Sequence, residues 1–158
     1  GRILHATGNL GGAEAALRQA VALEPNHADH RYALALLSAE RGRIREADEQ
    51  LEETVRIDPR FGRAWYNLGL ARSQLGDLDG AAVALGTAEE LMADSPDAAF
   101  ARATVLLRLG RTDEARAAAG RALRIDPGHT PSRQLLQEMD APGAQDGPSP
   151  GPAADPPG

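Results

Sequence analysis

The chain has 158 residues, 42% hydrophobic content and a formal net charge of -6, with no Lys and no Cys. An acidic chain without a basic run is a poor partner for nucleic acid or an anionic membrane surface, and zero Cys excludes disulfides, zinc–thiolate sites and haem-attachment motifs. No apolar stretch approaches the length of a membrane span, and with aromatics at only 3% a core has to be built from Leu, Ala, Val and Ile.

The chain opens on Gly1 rather than Met, shows no signal-peptide pattern, and reads as a piece of a longer protein. Its first landmark, Gly8, recurs at Gly42, Gly76 and Gly110, each 34 residues on. Ala13, Ala47, Ala81 and Ala115 keep the same step; Pro25 and Pro59 are one period apart, and Pro59 and Pro127 two. A period of this length marks a stack of two-helix units, each burying its apolar face on its neighbours.

Residues 1–27 form a truncated first unit, in which Gly8 ends a first helix and Gly11 and Gly12 open a second. Residues 28–61 form the second unit, with Leu34 and Ala35 on one helix face and Ala47, Leu51 and Thr54 on the next. The third unit, 62–95, places Trp65, Leu68, Gly69 and the stem of Arg72 on one face. Its second helix starts near Asp79 and buries Ala81, Leu85 and Ala88. In each unit the recurring glycine fits a left-handed C-cap, which needs no Cβ, and Pro59 and Pro127 help stop the second helices.

The fourth unit, 96–129, keeps Gly110, Ala115, Ala122 and Pro127, with a second helix starting near Asp113. It carries Ala99 in place of Trp and Arg102 in a Leu core slot. Either the Arg102 head escapes to solvent or the helix is locally rotated, because a buried unpaired Arg is costly. A last helix, 130–140, starts with Thr130 as N-cap and Pro131 at the first helical position; Leu135, Leu136 and Met139 let it cap the last unit. Residues 141–158, rich in Pro, Gly and Ala, cannot form a core and read as a disordered tail.

The spacing Trp65-x2-Leu68-Gly69, then Ala81, Leu85 and Ala88, resembles the tetratricopeptide repeat (TPR) of the kind common in bacteria. The resemblance runs from Gly1 to about Asp140, departing from the motif at Arg72, Leu85 and Ala93. It implies a right-handed α-solenoid of antiparallel helix pairs that acts as a non-catalytic scaffold, holding a partner peptide or helix in its concave groove. The alternative makes the array the C-terminal arm of a larger enzyme or multihaem electron-transfer protein whose active domain lies upstream of Gly1.

Tyr32, Tyr66 and Phe100 stand 34 residues apart. With Leu36 and Leu70 they form a stripe that in TPR proteins lines the groove; Arg63, Asn67, Gln74 and Arg108 are its polar neighbours. Tyr at this position also packs between repeats in generic TPR sequences, so both roles stay open. Of the positions used by the TPR carboxylate clamp only Asn67 fits, against Tyr32, Leu36, Asp97 and Ala101. No cofactor is implied. The chain has four His: His5, His27, His30 and His129. His27 and His30 lie close to Asp29 near an inter-repeat turn and read as solvent-exposed turn residues; a metal site there needs further convergent ligands. The apolar N-terminal end near Ile3, Leu4 and Leu10 offers a surface for self-association, and the sequence decides no compartment.

Overall fold

A computed structural model describes residues 2–143, with side chains from residue 10 onward. Eight α-helices follow one another among the described residues: α1 (Arg2–Leu23), α2 (Ala28–Glu40), α3 (Ile44–Ile57), α4 (Gly62–Leu75), α5 (Leu78–Leu91), α6 (Pro96–Arg108), α7 (Thr112–Ile125) and α8 (Thr130–Asp140). Packing is strongest within the pairs α2/α3, α4/α5 and α6/α7 and continues between pairs through α3/α4 and α5/α6. Each helix therefore packs mainly on its chain neighbours, as in an all-α repeat solenoid. A further contact between α4 and α6 sets first helices of successive units side by side on one wall.

The core alternates large and small residues. Leu51, Leu68, Leu85 and Leu106 fill it, and Ala35, Ala47, Ala64, Ala81, Ala88, Ala103 and Ala115 are fully buried beside them. Gly69 marks the closest approach: a Cβ there would collide with Leu85 Cγ and lie 2.8 Å from Leu85 Cδ2. The same slot holds fully buried Ala35 and Ala103 in the neighbouring units.

Two backbone devices repeat every 34 residues. Gly42, Gly76 and Gly110 all take positive φ, at 73°, 87° and 75°. At each, the following N–H reaches back five residues, with Arg43 N to Ser38 O at 2.9 Å, Asp77 N to Arg72 O at 3.0 Å and Arg111 N to Leu106 O at 2.9 Å. This is the Schellman closure of a helix C-terminus. At the unit boundaries, Arg31 Nε donates to Pro25 O at 2.9 Å, Trp65 Nε1 to Pro59 O at 2.9 Å and Arg133 Nη2 to Pro127 O at 2.6 Å. At the starts of α2, α4 and α8 one side chain thus ties down the carbonyl of the Pro six residues earlier. Where unit four has Ala99, it also lacks the Pro, with Ala93 in that place.

Several expectations need correction. Gly8 ends no helix: α1 runs unbroken from Arg2 to Leu23 through Gly8, Gly11 and Gly12. Extending an existing helix adds one hydrogen bond per residue, and a glycine inside it lowers helix propensity without ending it. The repeat register also fails locally at Ala13, which is exposed, whereas its neighbour Glu14 is buried. The Glu14 carboxylate is gripped there by Arg18, Arg41 and Arg43, and its pKa is lowered mainly by the Arg43 hydrogen bond.

The N-cap of α5 is Asp77, whose side chain accepts from Gly80 N at 2.9 Å; Asp79 lies in the first turn. Asp113 likewise lies in the first turn of α7, behind Arg111. The N-cap of α8 is His129 rather than Thr130. Residues 144–158 of the expected tail lie outside the described residues, as do the side chains of Ile3 and Leu4 at the proposed self-association end.

Candidate groove for a partner peptide

The first helices α2, α4 and α6 carry the aromatic stripe. Tyr32, Tyr66 and Phe100 are all partly buried and pack their inner edges on the core clusters. Leu36 is 37% exposed, and Leu70 is partly buried against the core. Polar side chains tie one first helix to the next. Asn67 Nδ2 donates to Tyr32 Oη at 2.9 Å and to Arg63 O at 3.0 Å. Arg108 Nη1 donates to Ser73 Oγ at 2.7 Å. Arg63 is exposed, its guanidinium 6.0 Å from the Phe61 ring centroid. Gln74 is exposed at the C-terminal end of α4. The structure thus links Tyr32 to Asn67 and Arg63; Gln74 and Arg108 stand one or two turns away, toward the other end of the first helices.

The three aromatic rungs differ in what holds them. The Tyr32 ring lies 4.7 Å from the Phe61 ring, and Phe100 meets His129 edge-on at 5.6 Å. Phe61 and His129 occupy the same register position, the N-cap of the next helix. For Tyr66 that position is Ser95, whose Oγ caps α6 by accepting from Ala98 N at 3.3 Å. Tyr66 therefore has no ring partner among the described residues. Burial, with a smaller contribution from Asp97, raises its phenol pKa above the usual value, so it stays a neutral donor.

His129, to which the sequence reading gives no role, is buried. Its Nδ1 accepts from the Ser132 N–H at 3.3 Å, leaving Nε2 to donate to Asp97 Oδ1 at 3.1 Å. One imidazole thus caps α8, packs on Phe100 and fixes a carboxylate at the edge of the stripe. The sequence held one signal for this, the shared register of His129 and Phe61.

Arg102 keeps its helix in register. Its stem takes the Leu slot and its Nη1 reaches Glu89 Oε2 at 2.9 Å, with the side chain 30% exposed. Arg121 grips the same carboxylate, Nη2 to Oε2 at 3.1 Å. Glu89 stands where the preceding unit has Val55, just as Arg102 stands where it has Leu68. Burial alone would raise the Glu89 pKa; hydrogen bonds from Arg121 and Arg102 outweigh it and hold the carboxyl below its ordinary value. Around this group the surface opens into a cavity of about 440 Å³, also lined by Glu90, Ala93, Arg124 and Ile125. Its arginines are already engaged or at the rim, and the cavity is not on the aromatic stripe.

Antiparallel helix pairs with side-by-side first helices and a continuous stripe define a helical-repeat protein. The tetratricopeptide repeat model matches residues 4–72 and 73–139, and the chain belongs to that family. It is 38% identical over 66 residues to Protein FlbA of Caulobacter vibrioides, a match covering 40% of this chain and only 11% of FlbA. The fold is similar to that of MamA, with a TM-score of 0.79 and 26% identity over 84% of this chain and 77% of that one. It is also similar to the first TPR of Spaghetti bound to HSP90 peptide SRMEEVD, with a TM-score of 0.68 and 19% identity over 71% and 89% of the two chains. TPR proteins are generally non-catalytic scaffolds, and this fold supports a role in protein–protein interaction. No helix among the described residues is long and apolar enough to cross a membrane.

Proposed function

We propose that this array binds a partner peptide or helix along the wall of α2, α4 and α6. The observation that carries the reading is the stripe itself: apolar and aromatic groups at one register, left partly open although the helices behind them are tightly packed. Neighbouring helices pack about 8–10 Å apart, and an extended chain advances about 3.3 Å per residue. Successive rungs would then meet about every third residue of an extended partner. Tyr32 and Phe100, clamped by Phe61 and His129, would form fixed walls. Tyr66, without a ring partner, would be the anchor that reorients onto the ligand. Arg63, Gln74 and Arg108 would supply donors to the partner backbone or carboxylates, and Asn67, whose amide protons go to Tyr32 and Arg63, would offer its Oδ1 as an acceptor. The peptide bound to the Spaghetti TPR is consistent with this use of the fold.

A peptide-display selection on the full chain tests the reading. Selected peptides should carry apolar side chains about three residues apart, and their amide shift perturbations should fall on α2, α4 and α6. Perturbations confined to the outer faces of α3, α5 and α7 would reject it.

A further inference from the structure

Apart from the groove, one turn carries a set of metal-ligating groups that its counterparts lack. The turn between α1 and α2 presents Glu24, His27 and His30, each with a ligand atom within 4.8 Å of the others. The corresponding residues at the later turns are Asp58, Phe61 and Ala64; Met92, Ser95 and Ala98; and Asp126, His129 and Ser132. Of these four turns, this one alone offers two imidazoles and a carboxylate. The His27 and His30 rings are stacked at 4.0 Å with planes 16° apart, so their nitrogens lie side by side and one ring turns when both bind one ion.

His30 is the anomaly. Ala64 and Ala98 fill this register slot with zero exposure, whereas here an imidazole occupies it. Its Nδ1 is shielded from solvent and has no hydrogen-bond partner; the nearest carboxylate oxygen, Glu24 Oε2, is 3.6 Å away. A shielded ring nitrogen without a partner is costly, and a metal ion beside it would remove that cost.

We propose that Glu24, His27 and His30 bind a borderline divalent metal ion of the Zn2+ class. Two imidazoles and a carboxylate suit such an ion better than the oxygen-seeking Ca2+ or Mg2+. With Zn–N and Zn–O bonds of about 2.0–2.2 Å, tetrahedral donors sit about 3.4 Å apart. From separations within 4.8 Å, the three groups therefore close by up to about 1.4 Å. Side-chain rotation supplies this, because Glu24 is 59% and His27 45% exposed. Asp29 Oδ2, 4.0 Å from His27 Nδ1, offers another carboxylate at the rim, and water completes the coordination. The bound ion links the residue just after α1 to the first turn of α2 and so pins the first helix onto the array.

The test is titration of the tag-free full chain with ZnCl2 in a non-coordinating buffer, followed by calorimetry and by the histidine ring signals in NMR. One ion per chain is expected, with His27 and His30 ring signals shifting together while those of His5 and His129 stay in place. His27→Ala and His30→Ala should each weaken binding at least tenfold, and Zn2+ should raise the Tm of the unaltered chain but not of the double variant. Equal affinity in a folded double variant would overturn the site. If the variants fail to fold, the ring signals decide: shifts led by His5 or His129, or none, would overturn it as well.

Discussion

The junctions between α3 and α4 and between α5 and α6 occupy the same register and solve it with opposite chemistry. At the first, Leu68 and Val55 are buried in one apolar cluster. At the second, the same two positions hold Arg102 and Glu89, joined by an ion pair and reinforced by Arg121. The backbone geometry is kept in both. A charged residue in a core slot is tolerated when its partner changes in the matching slot and the long stem leaves the head near water. The repeat period thus specifies which positions meet, and leaves open whether they meet as methyl groups or as ions.

The largest break in this comparison comes on the apolar side. Leu68→Ala should cost about 2–5 kcal/mol, the range for truncating a buried Leu, read from chemical denaturation. Gly69→Ala, which drives a Cβ into Leu85, should cost about 1–3 kcal/mol. On the ionic side, Glu89→Ala should cost about 1–3 kcal/mol, because it leaves Arg102 and Arg121 without their shared acceptor. The double variant Arg102→Leu/Glu89→Val should recover most of that loss by recreating the Leu68/Val55 pair; a double variant no better than Glu89→Ala would reject the register argument. The Glu89 carboxyl titrates below its ordinary value in the folded chain, so its contribution is present above about pH 4.5 and is lost as pH falls through the lower folded value. The Glu89→Gln variant should therefore show a shallower acid limb in a pH series of Tm values.

The smallest effects separate two kinds of glycine. Gly76→Ala should destabilise by about 1 kcal/mol or more, because φ there is positive. Gly11→Ala should stabilise by up to about 1 kcal/mol, because Gly11 lies inside α1 with open space around its Cα. Like-signed changes at the two sites would contradict the continuous α1.

The sequence made the helix pairs legible because the period is written in backbone-determining residues: glycines for left-handed caps and small residues for close approach. It failed at Gly8, where the same residue type sits inside a helix. A glycine permits a left-handed cap and does not enforce one. The role of His129 was not legible, because its burial depends on Phe100 and Asp97 at the start of α6. Arg102 was visible as a misfit, but its partner became clear only from α5. The stripe of Tyr32, Tyr66 and Phe100 was legible from register alone, whereas the difference between clamped and unclamped rungs required the neighbouring N-caps.

The groove is tested most directly at that unclamped rung, by the affinity of a selected peptide for Tyr66→Ala beside Val83→Ala on the outer face, where Val83 is 68% exposed. Tyr66→Ala should weaken binding by about 1–3 kcal/mol, as expected for an aromatic anchor, with helix content unchanged and Val83→Ala without effect. Unaltered affinity in folded Tyr66→Ala, or a loss that follows Val83 instead, would contradict the account.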